Sequence, residues 1–441
     1  MSTICAISTA KGGAIGVIRV SGPESIKFTD KIFRSPKGIT LEESKPYTLH
    51  FGHIIKSSID AAISAHDFTN SDIIDEVLVT TYREPHSYTG EDSTEIMCHG
   101  SQYILQSVIE LLIAQGCRLA NPGEYTQRAF LNGKMDLSQA EAVADLIASS
   151  NAASHRVAMN QMRGGFSRKL QDLRSQLLHL TSLMELELDF SDHEDVEFVD
   201  RSDLLSLAKD IEQEILRLSA SFSLGNALKN GIPVAIIGAP NVGKSTLLNL
   251  LLGEDKAIVS DIQGTTRDII EDTLTIQGVT FRFIDTAGLR RTDDTIEKIG
   301  IERSLKAAEK SHIILLISEP GVPYPDIKVR KDQKVIKILN KSEHFQALTG
   351  IGLEWLHTEL LKAAPHCSDD AVLITNIRHK QALDLSLADI RRAISAIELG
   401  IPSDLVSEDL RLCINHLAEI LGQMTDNEVL SNIFKNFCIG K

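Results

Sequence analysis

One stretch of the chain has the spacing Gly-x-x-x-x-Gly-Lys-Ser, whose residue types and order suit a polyphosphate. Its two glycines, Gly238 and Gly243, let the backbone wrap a phosphate so that successive N–H groups point inward. Lys244 supplies a charge for the outer phosphates, and Ser245 offers a hydroxyl to magnesium. An apolar run that reads as a buried strand precedes the loop, and a helix is predicted from Ser245 to Leu252. The pattern predicts a phosphate-binding loop.

Two stretches downstream indicate the kind of nucleotide-binding protein. Phe281 to Gly288, FRFIDTAG, is predicted to be a strand that delivers Asp285 to magnesium and Gly288 to the terminal phosphate. Gly264 to Asp268, GTTRD, places Thr266 where a switch-loop hydroxyl can complete the magnesium shell. In this order after the loop they favour a switch GTPase, and a P-loop kinase or ATPase is the alternative.

Composition limits the classes of protein. The 441 residues suggest two to four domains, and the net charge of −15 argues against a chain that coats nucleic acid unaided. Any RNA contact is therefore expected to be local or shared. The six cysteines include no C-x-x-C pair, which suggests reduced thiols rather than a zinc site or a disulfide framework. Without a signal peptide or an apolar run long enough to span a membrane, the chain is expected to be soluble and cytoplasmic, with no membrane partner.

The first part of the chain alternates strands with one clear helix. Strands are predicted at Thr3 to Ser8, Gly16 to Ser21, Glu76 to Tyr82 and Ser93 to His99, and a helix at Gln102 to Gln115. These elements indicate an α+β domain. Polar residues are frequent at the strand ends, and Arg19 considered alone is best read as a member of a surface ion pair.

Amphipathic helices are predicted on both sides of the nucleotide-binding unit. Apolar residues recur at three- and four-residue steps over 170–188, 204–218, 383–397 and 410–421. The acidic stretch 189–200 between the first two reads as a solvated linker first and a metal site second. Helices on both sides imply a bundle with the nucleotide domain inserted into it. The predicted domains are 1–119, 120–224 (first helical part), 225–366 (nucleotide-binding) and 367–441 (second helical part).

The chain resembles the MnmE (TrmE) family of tRNA modification GTPases over essentially its full length. The likeness is carried by GVIRVSG, HSYTGEDSTEIMCHG, NPGEYTQRAFLNGKMDLSQAEAVADLI and the terminal FCIGK, together with GAPNVGKS, GTTRD and DTAGLR. The resemblance implies a multidomain protein with an α+β N-terminal folate-binding and dimerisation domain, an α-helical bundle domain and an inserted α/β P-loop GTPase domain.

The resemblance also implies an activity and partners. Family members form homodimers and join an FAD-dependent protein, MnmG, in a heterotetramer. The complex installs a carboxymethylaminomethyl or aminomethyl group on the wobble uridine of certain tRNAs, with 5-formyl- or methylene-tetrahydrofolate as one-carbon donor. In this chain the family's folate site corresponds to Arg19, Glu95, Lys134 and Lys441. Cys438 in the terminal motif is either a reactive thiol or a buried structural cysteine.

In the nucleotide site the resemblance implies GTP, magnesium and a potassium ion that does the work of an arginine finger. Glu297 would help to position the attacking water, and Arg290 is the fallback charge donor. The metal-binding candidates are Ser245, Thr266, Asn241, Ser260, Ile262 and Thr265. The nucleotide-binding candidates are Asn241, Val242, Gly243, Lys244, Ser245, Thr246, Ser260, Thr265, Thr266, Asp285, Thr286, Ala287, Gly288, Asn340, Lys341 and Glu343.

The sequence departs from the family pattern in the segment that reads the base. The motif Asn-Lys-x-Asp appears as Asn340-Lys341-Ser342-Glu343, and the usual Ser-Ala-Lys reads Gln346-Ala347-Leu348. The stretch 318–334 is short and contains three prolines where such domains usually carry a helix. Either Glu343 still reads guanine with a longer side chain, or the loop is remodelled. A regulatory switch that acts on ribosomes or partner proteins, without chemistry of its own, is the alternative to a tRNA-modifying enzyme.

Overall fold

The computed structural model describes residues 2–10, 12–56, 72–189, 201–253, 272–284, 306–365, 371–424, 427–435, 437 and 440. The chain divides into two compact units, Met1–Ala144 with Ala418–Lys441, and Asp145–Leu417. Within the described ranges, no helix combines the length and the apolar character needed to cross a membrane. The predicted fold class is confirmed, because an α+β unit, long packed helices and a P-loop α/β domain are all present.

The first unit contains a seven-stranded sheet in the order β3-β4-β5-β6-β2-β1-β7, antiparallel except where β1 pairs with β7. Its strands are β1 (Ile4–Ile7), β2 (Ile15–Ser21), β3 (Phe33–Arg34), β4 (Leu49–Ile55), β5 (Ile73–Tyr82), β6 (Ser93–His99) and β7 (Arg118–Leu119). The helices α1 (Ser25–Ile32) and α2 (Gln102–Ala114) bury their apolar residues against one face of the sheet. All predicted elements are present, whereas α1, β3, β4 and β7 were not predicted.

The opposite face of the sheet is left partly uncovered. Phe51, Leu78, Met97 and Val17 lie side by side on β4, β5, β6 and β2, because each is paired in register with the next. Phe51 is 51% exposed and Leu78 is 39% exposed. An apolar row therefore crosses four strands on this face.

Three further helices complete the first unit. They are α3 (Glu124–Leu131), α4 (Leu137–Ala148, which continues into the second unit) and α12 (Asn427–Lys435). Leu137 and Ala140 of α4 form a small core with Leu430 and Phe434 of α12. The C-terminal tail returns to β1, where the Ser8 hydroxyl donates to the Gly440 carbonyl at 3.3 Å. The end of the chain thus lies beside the N-terminal strand.

Four long helices match the predicted apolar repeats. They are α6 (Gly165–Asp189), α7 (Arg201–Asn230), α10 (Ile377–Glu398) and α11 (Ser403–Leu421, which continues into the first unit), and they follow α5 (Ala152–Met162), which was not predicted as a repeat. Most repeat residues of α6, α7 and α10 are buried, and Leu177, Ile211 and Ile390 are fully buried. The helix α7 extends beyond the last predicted apolar residue, so the predicted domain limit at 225 lies inside it.

The nucleotide-binding domain has a five-stranded sheet in the order β12-β11-β8-β10-β9, parallel except for β9. Its elements are β8 (Ile232–Gly238), α8 (Lys244–Gly253), β9 (Asp272–Ile276), β10 (Val279–Phe283), β11 (Ile313–Ser318), β12 (Lys334–Leu339) and α9 (Leu353–Ala363). The connection 319–333 between β11 and β12 contains no helix, as the prolines predicted.

The two chain connections of the nucleotide-binding domain cross at Gly225 of α7. A Cβ atom at this position would lie 2.1 Å from the carbonyl oxygen of Ile374, which belongs to the segment that leaves the domain. The Ile374 N–H donates to the Ser221 hydroxyl at 3.2 Å, and the Gln161 amide donates to the Leu373 carbonyl at 2.8 Å. Only glycine fits at the crossing.

We therefore expect Gly225→Ala to lower stability, because the added methyl group must push the two segments apart. Overpacking of this kind costs about 2 kcal/mol and should lower the melting midpoint by about 4 °C. The matched control is Gly253→Ala at the end of α8, where a Cβ atom would meet nothing within 4 Å. Thermal unfolding followed by circular dichroism measures both variants. Equal melting temperatures for the two variants would contradict the crossing as a steric constraint.

Candidate functional site

The phosphate-binding loop joins β8 to α8 and requires its glycines. A Cβ atom on Gly238 would lie 2.3 Å from the Ile317 carbonyl oxygen, so β8 and β11 could not approach as they do. Gly243 has φ +96° and Asn241 has φ +61°, which turn the backbone around the loop. The helix begins at Lys244, one residue before the predicted start. Its free N–H groups and positive dipole end therefore face the loop.

Lys244 lies across this loop. Its Nζ donates to the carbonyl oxygens of Gly238 at 2.9 Å and Ala239 at 2.7 Å. Burial lowers the pKa of Lys244, since water is partly excluded from the ammonium group. Ser245 and Thr246 are half-buried in the first turn of α8. The loop thus gathers a lysine, two hydroxyls and a helix N-terminus.

Asn340, at the end of β12, connects the loop to the segment expected to read the base. Its side-chain amide donates to the Val242 carbonyl at 2.8 Å, and its Oδ1 accepts the Ala347 N–H at 2.9 Å. Asn340 is 4% exposed, and a Cβ atom on Gly243 would lie 2.3 Å from its Nδ2. The structure therefore brings the two divergent motifs, 340–343 and 346–348, against the phosphate loop.

Lys341 and Glu343 lie at the open side of this arrangement. Lys341 has φ +56°, donates to the Asn241 carbonyl at 3.3 Å and forms an ion pair with Glu319. Glu343 is exposed in a turn in which the Ser342 N–H donates to the Phe345 carbonyl at 3.1 Å. Its carboxylate is therefore accessible beside the buried Asn340.

Several predicted residues lie outside the described residues, so their roles stay predictions. They are Ser260, Ile262, Thr265, Thr266, Asp285, Thr286, Ala287, Gly288, Arg290, Glu297, Cys438 and Lys441, as well as the acidic stretch 190–200.

A second polar site lies on the sheet of the first unit, where Arg19 on β2 faces Glu95 on β6. Arg19 donates to Oε1 of Glu95 from Nη2 at 2.7 Å and from Nε at 3.0 Å. The hydroxyl of Tyr82 donates to the other carboxylate oxygen at 3.2 Å. The guanidinium carbon of Arg19 lies 5.4 Å from the ring centre of Tyr88 and 5.7 Å from that of Tyr125. The ion pair expected for Arg19 is present, and it stands among aromatic rings.

The loop 86–92 beside this ion pair is held by partly buried hydrogen bonds. Arg128 donates to both carboxylate oxygens of Glu91, at 3.2 and 3.0 Å, and Asn132 donates to the Thr89 carbonyl at 2.7 Å. Lys134 donates to the Pro85 carbonyl at 2.9 Å, just before the loop. A groove of about 400 Å³ lies next to the loop. It is lined by Pro23, Glu84, Gly90, Glu91, Asp92 and Asn132.

Sequence reasoning missed Tyr88 and Tyr125, which flank Arg19. Both stand inside the stretches HSYTGEDSTE and NPGEYTQ, which are rich in polar and aromatic residues. The Tyr125 hydroxyl donates to the Arg19 backbone carbonyl at 2.7 Å, and the Tyr88 hydroxyl is 2.9 Å from that of Thr126. The aromatic residues within these two polar stretches were the signal from which the sequence could have identified Tyr88 and Tyr125.

Glu124 at the start of α3 anchors this region. It accepts hydrogen bonds from Arg118 at 2.6 Å, from the Asn121 N–H at 2.9 Å and from Arg128 at 2.9 Å. Burial opposes its negative charge, but the hydrogen bonds from Arg118, Asn121 and Arg128 outweigh burial and lower the pKa of Glu124 to about 2. A buried carboxylate thus fixes two arginines.

Comparisons with known families match almost the whole chain. The model described as "GTP-binding protein TrmE N-terminus" matches residues 3–134, and "MnmE helical domain" matches residues 137–438. The chain is similar to the tRNA modification GTPase MnmE of Phocaeicola vulgatus, with 54% identity over 493 positions, 100% of this chain and 99% of the relative. The 493 positions exceed the 441 residues of this chain, so the relative has segments that this chain lacks.

A second relative and a solved structure are also similar. The tRNA modification GTPase MnmE of Bacteroides thetaiotaomicron is 53% identical over 475 positions, which cover 100% of this chain and 99% of the relative. The crystal structure of a point variant of Era from Aquifex aeolicus, bound to GDP.AlF4-, matches 35% of this chain and 65% of that chain, with 23% identity and a TM-score of 0.21.

The lowered pKa of Glu124 predicts that the fold becomes less stable in acid. A carboxylate whose pKa falls from 4.5 to about 2 on folding stabilises the fold fully above pH 4.5, and this contribution is lost as the pH falls towards 2. With solvent screening we expect about 2 kcal/mol. Urea unfolding at pH 6, 4 and 3 should show that Glu124→Gln is less stable than wild type at pH 6, and that this difference in stability falls by more than half at pH 3. The control is Glu43→Gln, an exposed position, and equal behaviour of the two variants would contradict the role of Glu124.

A glutamate at position 343 is expected to recognise guanine more weakly than an aspartate would. An aspartate in this motif accepts two hydrogen bonds from the guanine edge, and the extra methylene of Glu343 forces a less favourable side-chain conformation that costs about 1 kcal/mol. We expect GTP to be preferred over ATP, with an affinity about fivefold below that of Glu343→Asp. Competition binding with GTP, ATP and XTP on both proteins measures this. Identical affinities would mean that Glu343 does not contact the base.

Proposed function

The chain belongs to the MnmE (TrmE) family of tRNA modification GTPases, and we propose that it is the GTP-hydrolysing component of an enzyme that modifies wobble uridines. The added group is a carboxymethylaminomethyl or aminomethyl group. The observation that carries the proposal is the co-occurrence, in one chain, of a P-loop tied to Asn340 and an arginine–carboxylate pair among tyrosines in the N-terminal sheet. A regulatory switch without chemistry would have no use for the second site.

Hydrolysis of GTP would depend on charge placed around the loop between β8 and α8. The N-terminus of α8 and Lys244 suit the phosphates, because N–H groups and an ammonium converge there. Ser245, with Thr266 and Asp285, would hold magnesium, which neutralises charge on the outer phosphates. Asn241, with Ser260, Ile262 and Thr265, would hold potassium. The exposed Asn241 has φ +61°, so the loop backbone already bends at this position.

The remaining catalytic roles follow from the family likeness. Glu297 would orient the attacking water, and Arg290 would be the fallback donor of positive charge. The nucleotide would further contact Thr286, Ala287, Gly288, Lys341 and Glu343. These assignments rest on the family resemblance, and mutation of each residue tests them separately.

A reduced folate would bind beside Arg19 and Glu95. A carboxylate can accept the N–H groups of a pterin edge, and the rings of Tyr88 and Tyr125 offer flat apolar surfaces. Lys134, together with Lys441, would provide charge for the glutamate tail of the folate. The bound folate would supply the one-carbon unit. The fit is supported by the hydrogen bonds that already hold Glu95 and the loop 86–92.

The apolar row Phe51–Leu78–Met97–Val17 supports a homodimer formed through the N-terminal sheets. A row of exposed and half-buried apolar side chains across four strands is suited to contact with a second copy of itself, and Arg19 and Glu95 lie in the adjacent row. An MnmG-like FAD protein would complete a cytoplasmic heterotetramer that acts on tRNA.

The modification state of wobble uridines in a strain that lacks this protein tests the proposed function. Mass spectrometry of tRNA nucleosides should show loss of the aminomethyl-type group, and its return with the wild-type gene but not with Lys244→Ala. Normal wobble nucleosides in the deletion strain would overturn the proposal in favour of a regulatory switch.

We expect the full chain to retain 5-formyltetrahydrofolate in equilibrium dialysis. Arg19→Ala and Glu95→Ala should each weaken binding about tenfold or more, because a charge-assisted hydrogen bond contributes roughly 1.5–3 kcal/mol. Lys27→Ala is the control, since Lys27 is exposed and pairs only locally with Glu24. Absence of retention by the wild type, or equal retention by all variants, would rule out this folate site.

We expect GTP turnover to depend on potassium. Hydrolysis should rise at least tenfold when sodium chloride is replaced by potassium chloride, because the ion offsets charge that develops between the phosphates. Glu297→Ala should abolish the activity in potassium without changing GTP affinity. Equal rates in both salts would remove the potassium ion from the mechanism while leaving the GTPase in place.

A further inference from the structure

The helix-free connection between β11 and β12 and the strand that follows it carry a dense group of positive charge. Five cations and one acid, Asp332, stand within the ten residues 328–337 of a chain whose net charge is −15. All five cations are exposed. The group, named here the basic strip, consists of Lys328, Arg330, Lys331, Lys334 and Lys337.

The backbone of the basic strip is fixed by a buried glutamine. Gln333 is 7% exposed, and its side-chain amide donates to the carbonyls of Ala308 at 2.6 Å and Ser311 at 2.8 Å. Its carbonyl oxygen Oε1 accepts the backbone N–H of Arg330 at 2.9 Å. The guanidinium of Arg330 also donates to the Glu309 carbonyl. The strip is therefore presented by an anchored turn and not by a loose linker.

Most of this charge is not neutralised within the protein. Arg330 pairs with Asp332 at 3.1 Å. By contrast, Lys328, Lys331 and Lys334 form no salt bridge with any residue in the part of the chain that the structure describes. Three exposed ammonium groups thus stand close together in sequence, and none of them is neutralised by a salt bridge to those residues.

Protection of a sheet edge explains only part of the strip. In the described sheet β12 pairs with β11 alone, and lysines on an edge strand hinder pairing with another chain. That reason covers Lys334 and Lys337, the latter 5.5 Å from the ring centre of Tyr324. It does not cover Lys328 and Lys331, which precede the strand. An anionic partner accounts for all of them.

All of the strip except Lys337 lies at the end of the sheet opposite the phosphate loop, whereas Lys337 is in register with Leu316 of β11. Lys334 is in register with Ile313 of β11, whereas Gly238, where the loop starts, is in register with Ile317. Four residues of a parallel strand separate the two levels, about 13 Å. Changes in the charge of Lys328, Lys331 and Lys334 therefore leave the nucleotide-binding groups untouched.

We propose that the basic strip binds the phosphate backbone of tRNA. This inference rests on the proposed function, which supplies the polyanion. Clustered lysines bind RNA by displacing counterions from phosphates, so affinity falls steeply with salt. The anchored turn would hold its lysines in place for this contact, and the otherwise acidic surface would confine RNA to it.

The test uses the full-length protein and an unmodified tRNA transcript that carries a uridine at the wobble position. Fluorescence anisotropy between 50 and 200 mM potassium chloride measures affinity for wild type and for the triple variant Lys328→Glu, Lys331→Glu, Lys334→Glu. The control is Lys37→Glu, Lys45→Glu, Lys56→Glu, which makes the same change in net charge at exposed lysines of the first unit. GTP hydrolysis without tRNA checks that both variants are folded.

We expect the strip variant to bind tRNA at least tenfold more weakly than the control, with the slope of log affinity against log salt reduced by about two. Equal tRNA affinities for the two variants would overturn the proposal that the strip binds tRNA and would favour an acidic protein as its partner. Failure of the wild type to bind the transcript at 50 mM salt would also overturn it. Neither result bears on the proposed function, which the wobble-nucleoside measurement decides separately.

Discussion

The nucleotide-binding domain depends on the place where its two connections cross. One connection is α7, which continues into β8, and the other is the segment that passes over Gly225 with its Ile374 carbonyl. Hydrogen bonds from Ile374 to Ser221 and from Gln161 to Leu373 fix the departing segment to the helices. These contacts hold the inserted domain to the helices at its base. The Asn151 side chain, which caps α5, adds a hydrogen bond of 2.9 Å to Thr280 at the start of β10.

Much of the fold could be predicted because its signals are local. The phosphate loop follows from glycine chemistry, since only residues without a Cβ fit at Gly238 and tolerate φ +96° at Gly243. The helices α6, α7 and α10 follow from apolar residues at helical spacing, all of which face one side. In contrast, β4 was missed because Leu49 and Phe51 are exposed on the uncovered face, so its pattern lacks polar alternation. The extension of α7 to Asn230 was missed because it is stabilised by tertiary contact at its glycine.

The residues of the polar sites were predicted from the sequence, but the contacts between these residues were not. Arg19 and Glu95 are 76 residues apart, and their pairing depends on the register of β2 with β6. The link from Asn340 to both Val242 and Ala347 likewise joins segments that are distant in sequence. Motif spacing identifies the groups that carry chemistry, whereas sheet register decides which of them meet. No sequence pattern predicted the buried cluster around Glu124. Its members are ordinary charged residues, and only the fold brings them together and buries them.

The continuity of α7 with the strand of the phosphate loop gives the protein a lever arm. The helix has 30 residues and is separated from β8 by Gly231 alone, whose φ is +88°. A helix of this length spans about 45 Å, so a tilt of about 5° at Gly231 displaces its far end by about 4 Å. A small displacement of backbone atoms at the nucleotide would thereby become a displacement as large as a side chain at Arg201. Such a tilt would also carry along the segment whose Ile374 N–H donates to Ser221 of α7.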